Sequence, residues 1–299
     1  MSVEPDGKGI GIDTVFVIPV GPDCQLDFVA DTIESVRHFS PQSRIIVVDD
    51  SQHDLGVALG RRYELTVLQA HAHGVSGSLF LNLSDGFREA LTRPFRILVR
   101  LDTDALIAGS DFEAKAIKLF DTDQRLGSLG SFQIGYDCIG TRNRQWAKWQ
   151  ILIYFGVRKW MKPKSKLLVR RLVCRARRNG YKLGESILGG AVVYRREVVT
   201  ALAEAELLGR AELAAIGLQE DHIFGLCQYA IGFHLGEFGN RYDNLPMGVD
   251  WKGLPASPSE LIGLGKSIIH STKNYEDLDE EEIRREFRIA RQQESNARD

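Results

Sequence analysis

Short apolar runs, two of which are followed by acidic residues, constrain the fold of the first hundred residues more than any other feature. Val15 to Val20 is followed by Gly21, Ile45 to Val48 by Asp49-Asp50, and Phe95 to Leu101 by Asp102-Thr103-Asp104. Apolar runs of this length are typical of parallel strands buried on both faces. Apolar residues at helical spacing lie between them. The alternation predicts an α/β fold with a mostly parallel sheet flanked by helices.

The acidic residues fall where such a sheet binds ligands. Ligands of open parallel sheets lie beyond the carboxyl ends of the strands. Asp102 and Asp104 are two residues apart, so they can share one divalent cation that also holds a pyrophosphate, because hard cations take oxygen ligands. A solvated turn at the strand end is the alternative interpretation, since Asp is common in turns.

Composition excludes several classes of protein. The 299 residues carry 38 Lys and Arg against 40 Asp and Glu, and a net charge of −2 argues against a surface built for nucleic acid. The four cysteines lie far apart, which predicts reduced thiols and a cytoplasmic protein. Residues 1–13 show no signal peptide and are expected to be a flexible N-terminus. No apolar stretch approaches the ~20 residues of a membrane span.

Taken in order, these motifs resemble those of the GT-A glycosyltransferases, particularly family 2. The resemblance covers residues 14–110 well and 185–275 loosely. Val47 to Ser51 matches the family's Val-Asp-Asp-Gly-Ser, and Leu101 to Asp104 falls at its metal motif. Gly74 and Asn82 match a Gly and an Asn that lie between the third strand and the following helix of the family. The resemblance implies a Rossmann-like GT-A sheet with a smaller mixed region on the acceptor side.

The resemblance also implies a donor site for a nucleoside-diphosphate sugar, with UDP as the expected nucleotide. Asp49 would contact the nucleobase, and Asp102 and Asp104 the ribose and the metal-pyrophosphate. His270 has the position of a histidine that completes the metal shell, and imidazole beside carboxylates favours Mn²⁺ over Mg²⁺. The implied donor-binding residues are Pro19, Val20, Asp49, Asp50, Asn82, Asp102, Gly189 and Gly190, and the implied metal ligands are Asp102, Asp104 and His270.

An acidic pair in the second half supplies the candidate base. Glu220 and Asp221 open a predicted helix, and the resemblance places there the carboxylate that deprotonates the acceptor hydroxyl, Asp221 ahead of Glu220. A carboxylate suits this role when a partly dry site raises its pKa. Alternatively, acids in a first helical turn favour the helix dipole. Gly189 and Gly190 would lie in a strand on the acceptor side.

A basic stretch with interleaved aromatic residues runs over 142–182. It predicts either a helix that packs its aromatic side chains inward or a surface for an acidic acceptor, a lipid phosphate or a membrane. The acceptor itself (anionic, glycan or lipid-linked) and the oligomeric state stay open. The predicted organisation is a nucleotide-sugar half at 14–110, an acceptor and catalytic half at 111–274 and a charged tail at 275–299.

The predicted function is inverting, metal-dependent transfer of a sugar to an acceptor hydroxyl. A single transfer is expected, because the Gln-x-x-Arg-Trp motif of processive family 2 synthases is absent from the sequence. Two alternatives remain. Nucleotidyl transferases carry Lys or Arg in a Gly-rich loop after the first strand, where this chain has Gly21 to Gln25. A scaffold that binds sugar nucleotide without turnover is the non-enzymatic alternative.

Overall fold

The computed structural model of the chain describes residues 14–51, 55–70, 77–132, 163–241 and 244–298. The predicted N-terminal segment 1–13, Gly74 and the first part of the basic stretch lie outside the described residues. Strands and helices are numbered below in chain order within these ranges.

The strands are β1 (Thr14–Val20), β2 (Arg44–Asp49), β3 (Thr66–Gln69), β4 (Ile97–Leu101), β5 (Ala105–Ile107), β6 (Leu126–Gly130), β7 (Ala191–Arg195), β8 (His234–Glu237), β9 (Met247–Val249), β10 (Ile268–His270), β11 (Asn274–Tyr275) and β12 (Leu278–Asp279). The helices are α1 (Leu26–Phe39), α2 (Leu55–Arg62), α3 (Ser78–Leu91), α4 (Phe112–Thr122), α5 (Pro163–Arg178), α6 (Arg196–Glu204), α7 (Ala211–Ala214), α8 (Glu220–Ala230), α9 (Pro258–Gly263) and α10 (Glu280–Arg298).

A seven-stranded sheet in the order β3-β2-β1-β4-β7-β6-β8 forms the centre of the fold. All neighbouring strands run parallel except at β7, which is antiparallel to both β4 and β6. The predicted α/β class with a mostly parallel sheet is therefore confirmed. Strands β6, β7 and β8 come from beyond residue 110, so the two predicted halves share one sheet. A smaller mixed sheet, β5-β10-β9, lies beside it.

The two faces of the sheet bury separate apolar cores. Along β1, Val15 and Val17 belong to the core formed with α3, α5, α6 and α8. The alternate residues Phe16, Ile18 and Val20 belong to the core formed with α1, α2 and α4. Side chains of a strand point to alternate faces, so a run that is apolar at every position needs helices on both sides.

Two segments differ from the sequence prediction. The strand predicted over Ser186 to Tyr194 begins only at Ala191, and Gly189 and Gly190 form a turn in front of it. The expected charged tail is not a tail but a hairpin followed by α10, with Ile283 and Phe287 buried against α9 and the small sheet. Burial of these two apolar side chains stabilises the packing of α10 against the fold, although most of its residues are charged or polar.

Among the residues that the structure describes, no helix is both long enough and apolar enough to cross a bilayer.

Candidate active site

The acidic loop 102–104 joins β4 of the central sheet to β5 of the small sheet. Its backbone is held at two carbonyl groups. The Thr103 carbonyl accepts a hydrogen bond from Arg284 Nη2 at 2.6 Å, and the Asp104 carbonyl accepts one from the Thr272 amide at 2.9 Å. The backbone of the loop is thus fixed from α10 and from the segment after β10.

A cluster of two carboxylates and one imidazole stands at this loop. One ligand atom from each of Asp102, Asp104 and His270 lies within 4.8 Å of the others. The pairing of β10 with β5 is the reason, because His270 lies opposite Ala105 in the antiparallel register. Two carboxylate oxygens and an imidazole nitrogen suit Mn²⁺, which accepts both donor types. The donor set therefore fits the predicted metal.

The ionised form of the Asp104 side chain is strongly favoured. Burial alone would raise its pKa, but His270, the Ser271 hydroxyl and the Lys273 ammonium together hold it well below its usual range. The Ser271 hydroxyl donates to Asp104 Oδ2 at 2.6 Å, and His270 Nε2 lies 3.4 Å from the same oxygen. The pKa of His270 is raised, because its contacts with Asp104 outweigh its burial. Asp104 is thus an anion over the whole physiological range.

The position of Gly190 requires glycine because it packs against His270. Its φ of +97° lies in the left-handed region, and a Cβ at this position would overlap the imidazole of His270. Its carbonyl accepts a hydrogen bond from the Asp102 amide at 2.7 Å. The turn that contains Gly189 and Gly190 therefore packs against the cluster and supports the loop.

Arg100, which the sequence prediction missed, links the cluster to the second acidic site. Its side chain is buried in β4, and Nη2 lies 3.1 Å from Asp102 Oδ1 and 2.8 Å from Glu220 Oε1. The two carboxylates therefore share one guanidinium nitrogen. The sequence held a signal for this residue: an Arg inside a fully apolar strand must find buried anionic partners, because an unpaired buried charge is costly.

Glu220 and Asp221 are the first two residues of α8. Burial raises the pKa of Asp221 to about 6, although the charge of Arg100 acts in the opposite direction. Burial also raises the pKa of Glu220 against the same opposing charge. Asp221 Oδ1 accepts a hydrogen bond from the His222 amide at 2.7 Å. A carboxyl with a pKa near 6 can both take up and release a proton near neutral pH.

A cavity of about 330 Å³ opens beside the loop. Its volume is within the range of small-molecule sites. The cavity is lined by six predicted site residues: Pro19, Val20, Asp50, Asn82, Asp102 and Asp104. Lys273, which the sequence did not predict as a site residue, lines it too. His270, Gly189, Gly190, Glu220 and Asp221 are not among its lining residues. Gly190 packs against His270, Gly189 and Glu220 lie beside Arg100, and Asp221 follows Glu220 in α8.

The neighbouring acids Asp49 and Asp50 have different surroundings. Asp49 is buried, and its two carboxylate oxygens accept hydrogen bonds from the amides of Ser51 and Gly56, at 2.9 and 2.7 Å. Asp49 therefore connects the end of β2 to the first turn of α2. Asp50 instead faces the cavity, where its Oδ2 accepts a hydrogen bond from Asn82 Nδ2 at 3.3 Å. A nucleobase contact by Asp49 stays a prediction.

No protein-family model matches the chain, and no curated protein matches it. Among solved structures it is similar to the mannosyltransferase PcManGT from Pyrobaculum calidifontis in complex with GDP-Man and Mn²⁺, at 15% identity over 75% of this chain and 54% of that one, with a TM-score of 0.44. It is also similar to S. aureus TarS 1–349, at 14% identity over 75% and 57% of the two chains, with a TM-score of 0.45.

A third similar structure is glucosyl-3-phosphoglycerate synthase from Mycobacterium tuberculosis in complex with Mn²⁺, UDP and glucosyl-3-phosphoglycerate. The identity is 15% over 77% of this chain and 71% of that one, with a TM-score of 0.40. This chain spans 54% and 57% of the first two proteins, little more than half their length. At such similarity, activity has to be argued from the residues of this chain.

Proposed function

We propose that the chain is a metal-dependent glycosyltransferase that moves a sugar from a nucleoside diphosphate, with UDP as the expected nucleotide, to an acceptor hydroxyl with inversion. One observation carries the proposal: Arg100 Nη2 contacts both Asp102 and Glu220. The candidate metal cluster and the acidic pair that contains the candidate base therefore adjoin. Transfer needs this juxtaposition, because leaving group and nucleophile lie on opposite sides of one sugar carbon.

The donor would occupy the cavity beside the acidic loop. Asp50 and Asn82 offer a carboxylate and an amide to the nucleoside, and Pro19 and Val20 form an apolar wall. Asp102, Asp104 and His270 would hold Mn²⁺ or Mg²⁺, which supplies Lewis-acid neutralisation of the departing diphosphate.

Asp221 is the better of the two candidate bases. Glu220 is engaged with Arg100 at 2.8 Å, whereas Asp221 accepts a hydrogen bond from the neighbouring His222 amide and has a pKa near 6. Asp221 would take the proton of the acceptor hydroxyl while the oxygen of that hydroxyl bonds to the anomeric carbon. The bond from that carbon to the phosphate oxygen breaks on the opposite face, and its electron pair leaves with the diphosphate.

Calorimetry with UDP, and with GDP in parallel, tests the donor site. The wild-type chain is expected to bind one of them in the presence of Mn²⁺ and to lose affinity when the metal is omitted. Asp104→Asn should lower Mn²⁺-dependent affinity by roughly tenfold or more, because it removes an anionic ligand. Asp277→Asn, an exposed carboxylate outside the cluster, is the matched control and should bind normally. Unchanged affinity in Asp104→Asn would overturn the metal assignment.

A further inference from the structure

Helix α5 carries a strongly basic outer face. Its inner side, formed by Val169, Leu172, Val173 and Ala176, is buried in the same core as α8. The outer side exposes five arginines: Arg170, Arg171, Arg175, Arg177 and Arg178. At 3.6 residues per turn these five fall within an arc of about 160°. We refer to this arc as the arginine face.

The arginine face has no counter-charge in the described part of the chain. None of its five guanidinium groups forms an ion pair there. Two arginines of α10 differ: Arg284 and Arg291 are buried, and both contact the carboxylate of Asp31. A concentration of unpaired like charge repels itself and destabilises the fold unless an external anion compensates it. The chain as a whole has a net charge of −2, so the excess belongs to the basic stretch that includes α5 and not to the protein at large.

An apolar residue stands in the middle of the arginine face. Leu167 is 51% exposed, and on the helical wheel it falls between Arg170 and Arg171. Arginines that flank an exposed apolar side chain suit the interface of an anionic bilayer, where the guanidinium groups meet headgroups and the leucine enters the acyl boundary. A soluble acidic polymer would satisfy the arginines and leave Leu167 in water.

We propose that the arginine face of α5 binds the surface of membranes that contain anionic lipids. The contact is peripheral, because the inner side of the helix is occupied by the protein core. The surface attraction falls off within a Debye length, about 8 Å at physiological ionic strength, so it acts on α5 and not on the molecule as a whole. This inference does not rest on the proposed transfer activity, since it concerns binding without substrate.

Sedimentation with vesicles tests the inference. The wild-type chain should sediment with mixed phosphatidylcholine and phosphatidylglycerol vesicles, remain in solution with pure phosphatidylcholine, and dissociate as salt rises. Replacing the five arginines by Gln should lower the partition coefficient roughly tenfold or more. Replacing them by Lys, which keeps the charge, should preserve most of the binding. The matched control replaces five other exposed cations by Gln: Arg61, Arg93, Lys118, Lys252 and Arg285.

Leu167→Ser separates a membrane from a polyanion. It should weaken vesicle binding about threefold, because an exposed apolar side chain is lost, and leave binding to soluble polyglutamate unchanged. Melting temperature and nucleotide binding report whether each variant is folded. Equal loss in the matched control, or full binding in the five-arginine Gln variant, would overturn the proposal. Wild-type binding to polyglutamate but not to anionic vesicles would assign the face to an acidic polymer instead.

Discussion

Asp104 and Asp221 are carboxylates of the same type in two partly buried regions, and their pKa values move in opposite directions. Asp104 is surrounded by an imidazole, a hydroxyl and an ammonium group, and its pKa lies well below the usual range. Asp221 lies at the start of α8, and burial raises its pKa to about 6. The first is therefore always an anion, whereas the second exchanges a proton near neutral pH.

This contrast shows that the surroundings of a carboxyl, more than its residue type, decide which chemistry it can perform. A permanent anion suits a cation ligand, and a carboxyl with a raised pKa suits proton transfer. Arg100 connects the two regions, since it contacts Asp102 on one side and Glu220 on the other. Four predictions test this contrast between the two carboxylates.

Removal of the candidate base should have the largest effect. Asp221→Asn is expected to lower kcat by about 10²-fold or more, the range of a lost general base, with nearly unchanged affinity for donor nucleotide. Transfer assays and calorimetry on the same preparation measure both quantities. Glu220→Gln is the companion variant. If it abolished turnover while Asp221→Asn remained active, the roles of the two acids would be exchanged.

Replacing the same two aspartates by asparagine should change the free energy of unfolding in opposite directions. The raised pKa of Asp221 means that the folded chain holds this proton more tightly, so ionisation near neutral pH costs stability. Asp221→Asn should then raise the free energy of unfolding, by at most about 3 kcal/mol. The lowered pKa of Asp104 stabilises the fold above the pKa of an unfolded Asp and loses this effect as pH falls. Asp104→Asn should therefore lower the free energy of unfolding.

Urea denaturation without metal measures both changes near neutral pH. A decrease in stability for both variants would show that lost contacts, rather than the pKa difference, dominate at the two sites.

The pH dependence of turnover should report Asp221. As a base it is active when deprotonated, so kcat/KM should rise with pH through about 6 and then level off. One pH unit below that inflection, the rate should fall about tenfold. The residual activity of Asp221→Asn should lack the inflection. An unchanged inflection in that variant would assign the titration to another group.

Arg100→Lys should have the smallest effect. The charge of Arg100 lowers the pKa of both Glu220 and Asp221. A lysine keeps the charge but cannot reproduce the paired hydrogen bonds of Nε and Nη2 to the Asp102 carboxylate, so the inflection should shift slightly upward. The pH profile of kcat/KM measures the shift, and Arg195→Lys, another buried arginine, controls for general loss of packing. A downward shift would contradict the positioning role of Arg100.

Much of the fold and part of the candidate site followed from local sequence. Strand runs that are apolar at every position required helices on both faces, and acids at the ends of β2 and β4 had to meet at one edge of the parallel sheet. The spacing of Asp102 and Asp104 then placed two carboxylates at one loop. These features depend on neighbouring residues, so periodicity and spacing reveal them.

The tertiary structure decided the contacts between residues far apart in the chain. His270 reaches Asp104 through the pairing of β10 with β5, Arg100 joins Asp102 to Glu220, and Arg284 reaches the Thr103 carbonyl from a segment expected to be a tail. Each depends on which partner the fold brings near, and charge or periodicity along one segment does not contain that information. The sequence alone therefore determined where the acidic residues stand in the chain. The tertiary structure determined that Asp104 is an anion near neutral pH while Asp221 exchanges a proton there, because burial and neighbouring charges set each pKa.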